Sequence, residues 1–292
     1  MNEKNRSLLA LIVSMAIYGT IGVFRNYIGL PSGLLAMLRG FVGALFLLLV
    51  VFVSRKRLSL PAIRRNLPIL AVSGGLMGVN WILLFEAYRF TTVATATLCY
   101  YMAPVIIILM SPPVLRERLT VKKGVCAAVS VFGMVLVSGV LSAGDAGPGN
   151  TRGILLGLGA AVLYAAVILL NKKLRDIEAY DKTIVQLLAA AVVLVPYVLL
   201  TVDLAALSPT PLTVGMTAIV CVVHTGVAYT LYFGSMKALS AQTLALLSYI
   251  DPVVAVILSA AVLRERMTVP AVIGAVLLIG AAVVSELPER HI

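Results

Sequence analysis

Apolar residues run along the chain in long blocks separated by short polar connections, and neither a period of two nor a clean amphipathic stripe dominates them. About 20 apolar residues carry a helix across the hydrocarbon core of a bilayer. Ten blocks reach that length: 8–28, 33–53, 67–88, 93–113, 121–140, 153–174, 182–202, 212–236, 242–262 and 269–286. Gly and Pro inside these blocks are tolerated by membrane helices. The segment SAGDAGPGNTRG (142–153) has the composition of a loop and falls at mid-chain. The pattern therefore predicts an all-α integral membrane protein with ten transmembrane helices. Residues 1–141 form a first five-helix repeat, 142–152 a connecting loop, and 153–292 a second five-helix repeat.

A duplicated phrase supports the division. Residues 104–121 read PVIIILMSPPVLRERLTV and residues 252–269 read PVVAVILSAAVLRERMTV, identical at 10 of 18 positions. Five spans per half is an odd number, so the second half enters the membrane from the opposite side. Two inverted five-helix repeats are the pattern of many secondary transporters. Other positions pair across the halves: Tyr18 with Tyr164, Arg39 with Gln186, Phe85 with Phe233, and Tyr101 with Tyr249.

Composition sharpens the class. Apolar residues make up 61% of the chain and charged residues 12%, with mean hydropathy +1.06. A soluble domain carries about 25% charged residues and could not cover so much apolar surface. The net charge of +11 does not point to nucleic acid, because its placement is uneven. With the N-terminus inside, inner connections hold 17 Lys and Arg and outer loops hold 4. That bias predicts both termini in the cytoplasm and a multi-pass protein of the cell membrane. The basic start and apolar run of MNEKNRSLLALIV read as the first span rather than a cleaved leader, since no small-residue site ends the run. Cys99, Cys126 and Cys221 lie in apolar runs with no metal-binding spacing and read as small apolar filler. No cofactor is called for: the chain has no GxxxxGK[ST] phosphate loop.

The 5 + 5 spans, a Val-Leu-Arg-Glu-Arg rim at 114–118 and 262–266, and a Gly-bearing last helix in each half resemble the EamA-type members of the drug/metabolite transporter superfamily. The resemblance covers nearly the whole chain. Its most specific part is the duplicated segment with Pro104, Glu117, Pro252 and Glu265. Many relatives carry Trp-Gly where this chain has Tyr18-Gly19 and Tyr164-Ala165. The resemblance implies a substrate cavity near mid-bilayer between spans 1, 3, 4, 6, 8 and 9. Relatives handle amino acids, amines, nucleotide-related metabolites and drugs.

Depth can be counted from the residues themselves, at about 1.5 Å per helical residue. Tyr18, Tyr101, Pro104, Tyr164, His224 and the pair Asp251-Pro252 then share the mid-bilayer level. Tyr100 and Tyr249 flank it, Trp81 and Phe85 lie further out, and Tyr229, Tyr232 and Phe233 further in. Asp251 stands out, because an ionisable group at this depth costs about 2.5–3.5 kcal/mol on insertion scales and usually serves an ion, proton or substrate. The alternative is a protonated Asp bonded to a carbonyl that Pro252 leaves without its donor. The repeat partner of Asp251 is Ala103, so the charge is one-sided. His224 reads either as a packed, hydrogen-bonded group or as a neighbour sharing a proton with Asp251. Tyr18, Trp81, Phe85, Tyr100, Tyr101, Tyr164 and Tyr249 would make, with His224 and Asp251, an aromatic substrate box with one carboxylate. That suits an organic cation or an amino-acid-like solute. Arg39 and Glu86 read as a buried ion pair or an outer gate. Gly124, Gly133, Gly274 and Gly280 suit helix packing within a protomer or in a homodimer.

A secondary transporter of a small organic solute, with Asp251 and His224 as candidates for proton or cation coupling, is the leading expectation. A channel or scaffolding subunit is the rival. An intramembrane hydrolase built on Ser73 and His224 is a distant third, as the residue two before Ser73 is Ala71 where a GxSG motif needs Gly.

Overall fold

The computed structural model describes residues 3–115, 120–137, 148–235, 238–239 and 247–287. The described residues contain helices and no strand. In the first half, α1 spans Glu3–Asn26, α2 Ser32–Val53, α3 Leu60–Phe90, α4 Val93–Tyr100, α5 Ala103–Leu115 and α6 Val121–Val137. In the second, α7 spans Pro148–Asn171, α8 Ala179–Thr201 and α9 Pro211–Cys221. A π-helical segment, Val222–Val227, joins α9 to α10 (Ala228–Ser235). The chain ends with α11 (Ile250–Ala261) and α12 (Val269–Glu286). Among the described residues, seven helical stretches are long and apolar enough to cross a membrane, counting α4–α5 through Met110 and α9–α10 as one each. Ile250–Ala261 and Val269–Ala281 are shorter apolar helices.

The starts of several helices follow from local chemistry. Thr92, Thr210 and Thr268 each accept a hydrogen bond from the backbone N–H three residues on, at 3.0, 3.2 and 3.3 Å. Such caps contribute about 1 kcal/mol each. Pro211 and Pro270 follow two of them inside the first turn, where a missing N–H removes no helical bond. The same logic corrects the expected 142–153 loop: α7 begins at Pro148, so residues 148–153 are helical. Residues 142–147 lie outside the described residues, as do Arg116, Glu117 and Arg118, and so does the side chain of Pro104.

Packing obeys an exchange of halves. Helix α1 packs on α11 and α10, and its counterpart α7 packs on α4, α5 and α3. Helix α3 lies against α8, as the α9 and π-helical stretch lies against α2. Two pairs map onto themselves, α2 with α8 and α6 with α12, while α4 lies against α11, the counterpart of α5. Close approach is made possible by glycine in the α6–α12 pair, where Gly133 and Gly274 each face the other's carbonyl oxygen. A Cβ on Gly133 would lie 2.7 Å from the Gly274 oxygen. Gly124 and Gly280 have open space where a Cβ would stand.

Two expected continuous helices are broken. The fourth stretch stops at Tyr101, and α5 restarts at Ala103. In the other half, α11 starts at Ile250 just after Tyr249. Tyr101 and Tyr249, the repeat partners, have nearly the same backbone: φ −75°, ψ 8° and φ −73°, ψ −5°. In each half a proline follows three residues on, Pro104 and Pro252. A proline cannot donate to the carbonyl four residues back and disfavours helix for the residue before it. In a bilayer such breaks are tolerated where the freed backbone is buried in protein or lines a cavity.

Candidate functional site

The breaks place Asp251 in the first turn of α11, where the helix dipole favours a negative charge. Tyr101 is an electrostatic neighbour of Asp251. Its hydroxyl lies 3.5 Å from the Ser248 carbonyl, the group that Pro252 leaves without a helical donor. The carbonyl expected to bond a protonated Asp251 is thus approached by the Tyr101 hydroxyl. Helix α1 closes one side: a Cβ on Gly19 would lie 2.6 Å from the Asp251 carbonyl oxygen.

Aromatic rings surround this point from both halves. Tyr249, Tyr101, Tyr100 and Tyr164 form one chain, with successive centroids 6.4, 6.0 and 5.3 Å apart. Tyr18, Tyr229, Phe233 and Tyr232 form a second, at 5.7, 5.7 and 5.3 Å. Tyr164 is an electrostatic neighbour of Tyr229, Tyr232 and Asp251, and Tyr100 of Tyr164, Tyr229 and Asp251. Of the expected site residues, Tyr249, Tyr101, Tyr100 and Tyr164 are thus in ring contact one with the next, and Tyr18 is in contact with Tyr229. Tyr249 is buried behind them.

Other expected members stand elsewhere. Phe85 is fully buried and Trp81 is 5% exposed, and both belong to the apolar core between α2, α3 and α8. Arg39 lies over them, its guanidinium carbon 4.4 Å from the Trp81 ring centroid and 5.9 Å from that of Phe85. Its Nε donates to Thr225 Oγ1 at 2.8 Å. Arg39 does not pair with Glu86, which corrects the expected ion pair. Glu86 takes hydrogen bonds from Ser32 at 2.5 Å and from Arg89 at 3.1 and 3.2 Å. Arg25 completes that cluster by donating to Ser32 at 3.0 Å.

His224 is 1% exposed. Its Nε2 is 2.7 Å from Thr20 Oγ1, and its ring lies 4.9 Å from that of Phe24. The Thr20 hydroxyl also donates to the Ile17 carbonyl at 2.8 Å, and His224 Nδ1 lies 3.5 Å from the Ile219 carbonyl. The structure thus brings His224 to α1 rather than to Asp251, and the two share no hydrogen bond. Ser73 belongs to a third network: it donates to the Ile69 carbonyl at 2.6 Å and accepts from Gln186 at 2.6 Å. The Ser73–His224 pairing that a hydrolase would need is not formed.

The duplicated Val-Leu-Arg-Glu-Arg block has a visible task in its second copy. After α11 the chain turns through Arg264, which has φ 54°. Glu265 then accepts from the Val93 N–H with both oxygens, at 3.1 and 3.0 Å, and from the Ser259 hydroxyl. The end of one half thereby caps the first turn of α4 in the other. No group of three or more His, Cys, Asp and Glu side chains suited to a metal occurs among the described residues.

Seven apolar helical stretches among the described residues, packed with exchanged halves, define the class: a helical membrane protein built from two copies of one unit. The profile of the EamA-like transporter family matches residues 5–139 and again residues 151–286. The chain belongs to this family, and it is a multi-pass membrane protein and not an enzyme. It is similar to the uncharacterized transporter YxxF of Bacillus subtilis, with 27% identity over 256 residues, 88% of this chain and 81% of that protein. It is also similar to an uncharacterized transporter of Archaeoglobus fulgidus, with 27% identity over 277 residues, 94% of each. A solved crystal structure shares its fold with TM-score 0.68 at 20% identity, covering 96% of each chain.

Proposed function

We propose that the protein is an alternating-access secondary transporter of a small organic solute carrying a cationic amine. Ten spans in two inverted five-helix repeats, joined near 142–152 with both termini in the cytoplasm, would give one site reached in turn from each side. The observation that carries this reading is the meeting of Asp251, at the start of a broken helix, with Tyr18, Tyr100, Tyr101, Tyr164 and Tyr229 from both halves. A carboxylate beside tyrosine faces suits an ammonium group through charge pairing and cation–π attraction, the latter about 0.5–2 kcal/mol per ring. Asp251 is also the group we assign to proton coupling, since it would release its proton to admit a cation. His224, tied to Thr20, acts as a structural neighbour in this reading.

The test is counterflow in proteoliposomes preloaded with a panel of amines and amino acids, for the wild-type protein and Asp251→Asn. Counterflow lost in Asp251→Asn, with folding retained, supports the reading. Wild-type rates and an unchanged pH profile in the variant would remove Asp251 from the mechanism. Single-channel currents across a planar bilayer would favour a channel instead.

A further inference from the structure

We propose that the α2–α3 and α7–α8 connections, with the start of α3, form a docking surface for the headgroups of anionic phospholipid in the adjoining leaflet. The proposal goes beyond the transport reading and does not depend on Asp251.

The two connections are locked together. Arg65 Nη2 donates to the Arg175 carbonyl at 2.9 Å and to Asp176 at 3.0 Å. Asn66 and Arg175 exchange two bonds, at 2.9 and 3.0 Å. The Ser59 N–H donates to Asp181 at 3.0 Å, and the Lys56 ammonium lies 5.0 Å from the Tyr180 ring centroid. These contacts occupy Asp176 and Asp181. Arg55, Arg57, Arg64 and Lys173 are exposed. None of the four has a carboxylate within ion-pairing distance among the described residues.

Local electrostatics favour an anion here. Helix α3 starts at Leu60 with no side-chain cap and no acid in its first turn. The helix dipole leaves partial positive charge at that end, and Arg57 and Arg64 lie within four residues of it along the chain. Cations crowded at a positive helix end repel it and one another, and a bound phosphate relieves both.

The fold does not require this charge. Under the exchange of halves, the counterpart pair is the α1–α2 connection (27–31) and the α8–α9 connection (202–210). These also meet, since Leu30, Leu207 and Pro209 line one apolar cavity of about 400 Å³. That pair contains no Lys or Arg, and its one acid, Asp203, accepts from the Ala205 and Ala206 N–H groups. The same architecture is apolar on one face and cationic on the other.

What borders the cations identifies the partner. Phe52, Val53 and Leu60 are 80%, 69% and 60% exposed, at the end of α2 and the start of α3. A soluble polyanion offers nothing to these side chains. An anionic phospholipid offers acyl chains to them and a phosphate to the arginines and lysine beside them.

The experiment titrates the purified protein in neutral detergent with phosphatidylglycerol, or with phosphatidylcholine of the same chains, and follows bound lipid by native mass spectrometry. The wild-type protein is expected to retain phosphatidylglycerol in preference. Arg64→Gln/Lys173→Gln removes one cation from each side of the surface. Each such cation contributes about 5-fold to binding at an anionic membrane, so affinity should fall on the order of 25-fold. Lys4→Gln/Arg6→Gln takes the same charge from the start of α1 and should leave the affinity at the wild-type value. Equal retention of the two lipids by the wild-type protein would overturn the proposal, as would equal losses in the two double variants. Displacement of the lipid by inorganic phosphate at matched concentration and ionic strength would overturn it too, since the site would then be one for a free anion. If Arg64→Gln/Lys173→Gln fails to fold, the wild-type preference and the phosphate competition decide.

Discussion

Gly19→Ala is the sharpest perturbation of the site that adds no charge and removes no functional group. A Cβ at this position would stand 2.6 Å from the Asp251 carbonyl oxygen, 2.7 Å from Val254 Cβ and 2.9 Å from Val254 Cγ1. Ordinary carbon–oxygen and carbon–carbon contacts are about 3.3–4.0 Å. The first turn of α11 must therefore retreat from α1 by roughly 1 Å, a distance that follows from those contact limits. One of the obstructing atoms is backbone, so a rotamer change cannot relieve the contact. Overpacking of this kind costs about 1–3 kcal/mol. Part of the cost appears as lost stability. The rest appears as displaced Asp251 and a weakened amine contact, a loss of about 10-fold in affinity for each 1.4 kcal/mol. The assay is a paired measurement of melting temperature and substrate affinity in nanodiscs. Gly124→Ala is the control, because a Cβ there meets nothing within 4 Å and alanine favours a helix by up to about 1 kcal/mol. The reasoning is refuted if Gly19→Ala matches the wild type in both quantities, or if Gly124→Ala is the more damaging of the two.

Three further outcomes follow from the polar contacts. Glu265→Ala removes the acceptor of the Val93 N–H and of Ser259; it should cost about 1–2 kcal/mol, as loss of a helix cap does, and raise hydrogen exchange in the first turn of α4. Gln186→Leu strands Ser73 and Asn171 without their shared partner; a loss of about 1–3 kcal/mol is expected by thermal unfolding. Asp176→Ala breaks an ion pair whose side chains are 51% and 88% exposed; melting should shift by no more than about 0.5 kcal/mol of stability, and less in high salt.

Much of the scaffold was legible because one constraint dominates in lipid. Every spanning segment must be apolar and internally hydrogen-bonded, so block length alone marked out the seven helical stretches that are long and apolar enough to cross a membrane among the described residues. The repeat made the same site visible twice: Tyr101 and Tyr249, aligned by sequence, occupy equivalent breaks with matching backbone angles. The azimuth of side chains was not legible. Counting residues gives depth, but whether Trp81 faces the cavity or the core depends on helix rotation. Trp81 and Phe85 went to the core, beneath Arg39. Tyr229, Tyr232 and Phe233 joined the cage although depth counting set them aside. The cause lies just before them: the π-helical turn at Val222–Val227 changes the phase of the helix, and no residue type in VVHTGV announces it. The task of Glu265 was hidden for a different reason. Its partner is a backbone N–H 172 residues away, which carries no side-chain signature. Gln186 and Ser73 could have been paired as polar residues in otherwise apolar spans, but nothing in their spacing brings α3 to α8.

The central claim is one site reached in turn from both faces of the membrane. The most direct measurement labels Tyr164→Cys with a membrane-impermeant thiol reagent applied to either side of oriented vesicles, with and without a solute that shows counterflow. Tyr164 is 38% exposed beside Tyr100, and the native Cys99, Cys126 and Cys221 are buried, so the wild-type protein is the blank. Labelling from both sides, with protection by the solute from both, is the result the account predicts. Labelling from one side only under every ligand condition, or labelling that the solute never slows, would contradict it.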